Sequence, residues 1–497
     1  MNQQFAPKTF EPALHASPDT AAVAVAEGDG IGPEIMEATL SVLRAAGARI
    51  TPVPVQLGRA VYGAGTASGV SPEAWEILKQ TGVLLKGPVT TPQGTGAKSV
   101  NVTLRKSLGL FANVRPCTAF APYVATKHPG MDVVIVRENE EDLYAGIEHR
   151  QTDEVYQCLK LVSRPATERI IRYAFEYARA HGRRKVSCFS KDNIMKMTDG
   201  LFHRVFEEVA AEYPEIAHDH WIIDIGAARL AADPGRFDVI VTGNLYGDII
   251  SDIAAEVAGS VGLGASSNIG ENGAMFEAIH GSAPDIAGQG KANPSGLLLA
   301  AVQMLEHLGQ GDVAATIRNA WLATIEAGIH TADIYKREIS CELVSTQGFA
   351  DAVIARLGRE PYALTPARTG APVTAPTIPQ IVRRRPAAKE LVGIDVFVHA
   401  ADVDVDSLAD KLLIASRCQP VAVTMISNRG VKVWPQAQVQ TLLTDHWRVR
   451  FLFTVKANNG LPWQLLHALT LGGVEVIKTE QLYRFDGERG YSLGQGE

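Results

Sequence analysis

Short apolar runs that stop at glycine-bearing turns and give way to segments of helical composition recur between residues 21 and 330. Such alternation is what βαβ units require, and it commits this part of the chain to an α/β sheet protein. Its shortest statement is VIVTGNLYGDIIS, residues 239–251, followed by Asp252. Residues 239–241 read as a strand, Thr242-Gly243-Asn244 as a turn, and a helix opens at Gly247-Asp248. Asp248 and Asp252 then share one helical face. Ionised carboxylates at i and i+4 repel, so an isolated helix gains nothing from the pair. A divalent cation would offset that repulsion, and hard oxygen ligands beside a strand end suit Mg²⁺ or Mn²⁺. The competing reading is a first helical turn whose acids simply favour the helix dipole.

Other stretches bear on the choice. Residues 21–26 form a small apolar strand entering Glu27-Gly-Asp-Gly-Ile-Gly-Pro-Glu34, with a helical pattern over 35–46. A dinucleotide fingerprint GxGxxG beginning at Gly28 needs glycine at position 33, where Pro33 stands, so the turn is not a Rossmann site. It reads instead as a tight strand-to-helix connection with Pro33 in the first helical turn. Residues 83–87 form a strand, followed by a glycine-rich loop over 88–97 that holds Thr90 and Thr91. A helix begins near Ser99, with Asn101 and Arg105 close to its start, and Arg115 and Arg137 follow apolar runs. Singly, each arginine reads as a surface ion pair; three at element ends suit bidentate capture of carboxylates. Tyr144 lies in Asp142-Leu-Tyr-Ala-Gly146, and an amphipathic helix follows over 165–180. A strand over 185–189 delivers Lys191 to its end, where α/β proteins place their chemistry. A strand over 221–225 would carry Asp224 inside an apolar run, where a carboxylate needs a partner.

The 497 residues exceed a single core and predict two or three domains. A net charge of −7 gives no general attraction to nucleic acid or anionic membranes, so anionic ligands would need local arginines and lysines. Five cysteines without a CxxC pair fit free thiols in a reducing compartment. With no signal-like start and no apolar run of bilayer length, the cytoplasm is expected. Residues 361–386 hold six prolines and Arg383-Arg-Arg385, which marks a linker over 361–390. The remainder, 391–497, reads as strand 392–398, helix 407–416, strands 421–426 and 448–455, helix 462–471 and strand 474–478. That βαββαβ order predicts a ferredoxin-like α+β domain. It shows no RNP-like pattern for RNA, which favours a structural or dimer-supporting role over effector or RNA binding.

The stretches GDGIGPEI, KGPVTTP, KSVNVTLR, NVRP, VRENEEDLYAGIE, KDNIMK, NLYGDIISD and HGSAPDIAG, in this order, resemble the isocitrate and isopropylmalate dehydrogenases over residues 21 to about 360. The C-terminal extension with ISNRG is similar to the longer bacterial isocitrate dehydrogenases of the kind found in thermophiles. The resemblance implies a large domain (1–110 and 259–360) and a small domain (111–258) with a clasp near 142–167. It implies a non-Rossmann fold, in agreement with the failed fingerprint. It assigns the carboxylates attached to the reacting carbons to Arg105, Arg115 and Arg137, and the third carboxylate of isocitrate to Ser99 and Asn101. Asp224, Asp248 and Asp252 would bind Mg²⁺ or Mn²⁺. Lys191 would help deprotonate the hydroxyl and Tyr144 would protonate the enolate. Lys191 and Asp224 would come from a partner subunit, so the active form would be a homo-oligomer of at least two chains. The coenzyme would meet Lys86, Thr90, Thr91, Glu277, His280, Gly281, Asp285, Ile286 and Asn293.

NADP-dependent members carry lysine and tyrosine at the positions of Asp285 and Ile286, so the resemblance implies NAD. Phosphate selectivity from Lys336 or Arg337 is the alternative. Competing activities are homoisocitrate dehydrogenase, one methylene away, and isopropylmalate dehydrogenase, which resembles this chain with an apolar residue in the Ser99–Asn101 helix. The non-enzymatic alternative is a regulatory subunit, against which every residue needed for the chemistry is present.

Overall fold

The computed structural model describes residues 20–91, 98–368, 376–381, 384–436 and 441–495. Residues 92–97 of the expected glycine-rich loop and Arg383 of the linker lie outside them. The chain divides into two compact units, Met1–Ala145 with Lys160–Ile381, and Gly146–Leu159 with Val382–Glu497.

The first unit is built on a mixed ten-stranded sheet. Its strands are β1 (Ala21–Ala26), β2 (Ile50–Pro54), β3 (Val83–Lys86), β4 (Ala112–Thr118), β5 (Asp132–Glu138), β6 (Lys185–Ser190), β7 (Ala217–Ile222), β8 (Val239–Thr242), β9 (Ala265–Ile269) and β10 (Ala274–Ala278). They lie in the order β2-β1-β3-β10-β9-β4-β5-β8-β6-β7. The β9–β10 hairpin is inserted between β3, which it joins in parallel, and β4, which it joins antiparallel. The helices used below are α1 (Gly32–Ala45), α2 (Val100–Ser107), α3 (Arg164–Ala180), α4 (Thr198–Ala210), α5 (Ile223–Ala232), α6 (Asn244–Ala258), α7 (Ser295–His307) and α8 (Gly311–Glu326).

Strand β8 shows why the apolar runs are unbroken: Val239 and Val241 enter one core with α3 and α4, while Ile240 meets Ile250 and Ala254 of α6 on the other face. Each such residue contributes about 1.5–3 kcal/mol by leaving water. A further core packs α1, α7 and α8 over β1 and β10.

Two boundaries beside the candidate site residues differ from those the sequence predicts. Helix α6 begins at Asn244, one turn before Gly247, because the Asp142 carboxylate accepts the Leu245 N–H at 3.0 Å and satisfies the start of the helix. Strand β7 ends at Ile222, where its pairing with β6 ends at Ser190, so Asp224 is in the first turn of α5 and not in a strand. The GDGIGP turn takes the expected form, with Gly28 and Gly30 at positive φ and Pro33 in the first turn of α1. A Cβ on Gly30 would sit 1.9 Å from the Ser282 carbonyl oxygen, so no other residue fits there.

The second unit carries a six-stranded sheet in the order 431–434, 421–428, 446–453, 389–399, 475–485, 488–489. All of its pairings are antiparallel, and helices Val405–Ser416 and Leu461–Leu471 pack on it. The four longest strands follow the βαββαβ order with a ferredoxin-like arrangement. The Gly146–Leu159 segment, within the expected clasp, is a hairpin of Glu148–Arg150 and Tyr156–Cys158. It joins this unit through Thr152, whose hydroxyl donates to Asp445 at 2.5 Å, and Glu154, which accepts the Asp445 N–H at 2.9 Å. Among the described residues no helix is long and apolar enough to cross a membrane.

Candidate active site

Two arginines, Arg115 and Arg137, converge on Asp248, and the charge of Arg105 acts on it as well. In the antiparallel pair β4–β5, Arg115 is opposite Ile135 and Arg137 opposite Asn113, which puts both arginines on one face of the sheet, the face covered by α6. Arg137 is fully buried and ion-paired to Asp248 Oδ1, while its Nε and Nη2 donate to Asn244 Oδ1 at 3.1 and 2.8 Å. Arg115 Nη1 donates to the Ser251 hydroxyl at 2.6 Å and lies 3.4 Å from both Asp248 and Asp252. The two carboxylates therefore do share a face of α6, as their spacing requires. Gly247 makes the approach possible: a Cβ there would come within 2.6 Å of the Arg137 side chain.

The charges tune one another. Burial disfavours ionised Asp248, but Arg137, Arg115 and the Tyr144 hydroxyl outweigh it and hold its pKa below the usual range. Asp252 is pushed up, by burial and by Asp248, with Arg115 opposing. Burial and the neighbouring guanidinium groups of Arg115 and Arg105 lower Arg137 to about 9. The Tyr144 hydroxyl donates to Asp248 Oδ2 at 2.5 Å, and burial together with that carboxylate raises its pKa, so it stays protonated at neutral pH.

Arg105, on α2, pairs with Glu277 at 3.1 Å. Its Nε–H and that of Arg115 are buried donors without a partner, which is what a site awaiting a polyanion would show. Ser99 stands at the N-cap of α2 but makes no capping bond with its side chain, so its hydroxyl is not spent on the helix.

Lys191 and Asp224 lie together but elsewhere. Lys191 Nζ is 2.7 Å from Asp224 Oδ1 at the end of β6, and the Asp224 side chain is 67% exposed. The partner that Asp224 needed is thus a lysine, and its carboxylate is not buried as the sequence suggested. Asp224 is not grouped with Asp248 and Asp252 within one chain; among the described residues the single acid–histidine group close enough to hold a metal is Asp192, His203 and His220.

The candidate coenzyme residues divide into two sets. Loops 28–32, 88–91 and 280–286 are tied together by Asp29 N–H to Pro88 O at 2.7 Å, Ile31 N–H to Ser282 O at 2.9 Å and Thr90 Oγ1 to Ser282 Oγ at 2.7 Å. Thr90, Thr91, His280, Gly281, Asp285 and Ile286 belong to these loops. His280 keeps a buried Nε2 with no partner, and burial lowers its pKa, leaving a neutral ring. Asp285 is exposed, and among the described residues no cation pairs with it. By contrast Lys86 and Glu277 are opposite each other in the β3–β10 register and closed into a buried ion pair at 2.8 Å, and Lys86 with Arg105 holds Glu277 far below the usual carboxylate range against the effect of burial. Asn293 is also engaged, donating to Asp333 and accepting the Ser295 N–H.

Sequence reasoning missed Asn244, Ser251 and Asp142, which orient Arg137, Arg115 and the start of α6. All three fall inside stretches singled out for other residues, but a polar side chain that positions another has no spacing of its own to reveal it.

The oxygens of Asp248 and Asp252 fit a hard divalent cation: one carboxylate is kept ionised by arginines, and the other is 61% exposed with one long contact. The unpartnered His280 nitrogen at the loop cluster fits a polar coenzyme edge.

Comparison with known proteins gives a consistent account. The sequence signature of the isocitrate/isopropylmalate dehydrogenase family matches residues 22–353, and that of the bacterial isocitrate dehydrogenase C-terminal domain matches 389–497. An isocitrate dehydrogenase [NADP] of Rickettsia bellii is 52% identical, the match covering 96% of this chain and 99% of the relative. One of Thermus thermophilus with the same name is 44% identical, over 96% of each chain. A crystal structure of a Thermus thermophilus protein superposes with a TM-score of 0.91 at 42% identity, covering 97% of this chain and 98% of that one. The NADP in the relatives' names does not support the NAD-dependent type expected from Asp285 and Ile286.

Proposed function

Because this chain belongs to the isocitrate/isopropylmalate dehydrogenase family, with the C-terminal domain of the bacterial isocitrate enzymes, we propose that it oxidises and decarboxylates isocitrate to 2-oxoglutarate and CO₂ with reduction of a nicotinamide coenzyme. The observation that carries this reading is the convergence of Arg105, Arg115 and Arg137 beside Asp248 and Tyr144, with guanidinium N–H groups left buried and unpaired. Those arginines would bind the substrate carboxylates next to the reacting carbons and fix its orientation. Asp248 and Asp252, with Asp224 of a second chain, would hold Mg²⁺ or Mn²⁺; a divalent cation there lowers the pKa of the substrate hydroxyl and offsets charge on its oxygen as CO₂ leaves. Lys191 would accept the hydroxyl proton by relay, and Tyr144, kept protonated, would deliver one to the carbon that loses CO₂. A shared site makes a dimer the smallest active form. Rates with isocitrate, homoisocitrate and isopropylmalate, each with NAD and NADP, test the proposal; a preference for either other acid would overturn it.

Ser99 and Asn101 would meet the third carboxylate. Ser99→Leu is expected to lower kcat/KM for isocitrate by roughly a hundredfold and that for isopropylmalate far less, since a hydrogen-bonding site punishes the loss of a polar partner. Equal losses on both substrates would remove Ser99 from the site.

For the coenzyme we propose NAD over NADP. The support is the exposed Asp285 carboxylate, which can accept bonds from ribose hydroxyls and would repel a 2′-phosphate; the relatives' names stand against it. The expected preference is about a hundredfold in kcat/KM, ~2.7 kcal/mol. Asp285→Lys with Ile286→Tyr should move it toward NADP. Faster turnover of the unaltered enzyme with NADP at low coenzyme concentration would reverse the assignment.

A further inference from the structure

Asn268, in β9, is fully buried, yet it is polar and has polar neighbours on both sides. Across the sheet it is opposite Asn113 of β4, which is in turn opposite Arg137 of β5, so the three side chains form a row on one face. The Asn268 Nδ2 donates to Glu277 Oε1 at 3.0 Å and to the Met275 carbonyl at 3.2 Å. Its Oδ1 accepts from Asn113 Nδ2 at 2.9 Å and from Asn139 Nδ2 at 3.0 Å. Asn113 is two residues before Arg115 and Asn139 two after Arg137, and the same Glu277 oxygen accepts from Arg105 at 3.1 Å. One amide therefore joins the supports of all three arginines.

The direction of these bonds is set at one end. An ionised carboxylate only accepts, so Glu277 turns the NH₂ of Asn268 toward itself and leaves the Asn268 carbonyl to receive the other two amides. With Lys86 on Oε2 at 2.8 Å, the Asn268 bond on Oε1 fixes the rotation of the carboxylate on which Arg105 leans. Arg105 meanwhile keeps its Nε–H unspent. As a device for stitching β9 into the sheet the network is a poor one, because Asn113 Oδ1 and Asn139 Oδ1 are buried with no donor among the described residues. Apolar side chains would fill the row without that cost, but they would leave the rotation of Glu277 free.

We propose that Asn268 is a positioning residue for substrate binding: it holds the Glu277 carboxylate in the rotation that aims Arg105, and ties that aim to the strands carrying Arg115 and Arg137. It acts through Glu277 and not on the substrate itself. The inference rests on the reading of those arginines as the grip on a hydroxy acid's carboxylates. Such a grip is made before and during the reaction alike, so disturbing its aim weakens affinity and leaves kcat nearly unchanged.

Isocitrate binding to the intact protein is measured calorimetrically with Mg²⁺ present, beside kcat and KM, for the wild type, Asn268→Leu and Asn268→Asp. Asn268→Leu should weaken binding about ten- to a hundredfold while kcat changes by less than about threefold. Asn268→Asp carries the specific signature. Burial and the Glu277 charge raise the pKa of the introduced carboxyl; while protonated, its hydroxyl donates to Glu277 and its carbonyl accepts from Asn113 and Asn139, as the amide does. Affinity relative to the wild type should therefore be near normal at the acid end of the range and fall as pH rises and two carboxylates come to face each other. If circular dichroism shows Asn268→Leu misfolded, Asn268→Asp compared with itself across pH decides alone. Wild-type protein that binds isocitrate but oxidises none of the three acids would defeat the dehydrogenase reading and leave the comparison of affinities standing. No isocitrate binding by the wild type, affinities equal to the wild type's in both variants at every pH, a loss of kcat without loss of affinity, or an Asn268→Asp chain that unfolds as pH rises would each overturn the proposal.

Discussion

Asp252→Asn is expected to lower kcat by at least about a thousandfold, ~4 kcal/mol of transition-state stabilisation, and to weaken the dependence of rate on Mg²⁺ or Mn²⁺. The fold should be nearly untouched. The Asp252 side chain is 61% exposed and makes one 3.4 Å contact to Arg115, which keeps its 2.6 Å bond to Ser251 and its proximity to Asp248. Loss of so exposed a charge stays within about 0.5 kcal/mol of stability. Asp248 is the poorer choice for this test, because its removal strips the counterion from fully buried Arg137 and confounds catalysis with unfolding. Rate against Mn²⁺ concentration, beside thermal unfolding of the same sample, separates the two effects. A variant with ordinary metal dependence would dismiss the carboxylate pair as a metal site.

Lys191→Met should cost about 10²–10⁴ in kcat if Lys191 relays the hydroxyl proton. Lys191 and Asp224 are held together at 2.7 Å and are not grouped with Asp248 and Asp252 in one chain, which is the arrangement expected if each chain lends this pair to another. The decisive measurement mixes defects. Co-expressed Lys191→Met and Asp252→Asn chains would form mixed dimers in which one site carries both lesions and the other neither. Random pairing then restores about a quarter of wild-type activity from two inactive parents. Mixed dimers purified with two different tags that remain inactive would place Lys191 and Asp252 in the same chain's site.

How much of this was legible follows from which signals act locally. Strand β8 and the shared face of Asp248 and Asp252 could be read because apolar runs and a four-residue spacing are properties of the chain itself. The end of β7 could not, since it is set by where β6 stops pairing, and without that partner Ile223 to Ile225 looks like more strand. The start of α6 was missed for the same reason: Asp142 caps it from another loop. Lys86 and Glu277 were assigned through resemblance to the coenzyme, and the buried ion pair they make comes from a register between β3 and β10 that no local pattern discloses. The βαββαβ order of the last hundred or so residues was readable because its apolar runs and helical segments are local patterns, whereas its sheet order, in which the first strand pairs with the third and fourth and not the second, is not written in any one stretch.

The inserted hairpin has a consequence for how the protein is made. Strand β3 ends at Lys86 and β4 at Thr118, yet the strands that fill the gap between them begin only at Ala265 and Ala274. While the intervening chain is being synthesised, at about 5–20 residues per second, the apolar Val83, Leu84 and Leu85 of β3 form an open strand edge with nothing to pair with. The window between emergence of β3 and arrival of β10 is therefore when this edge is open to mispairing.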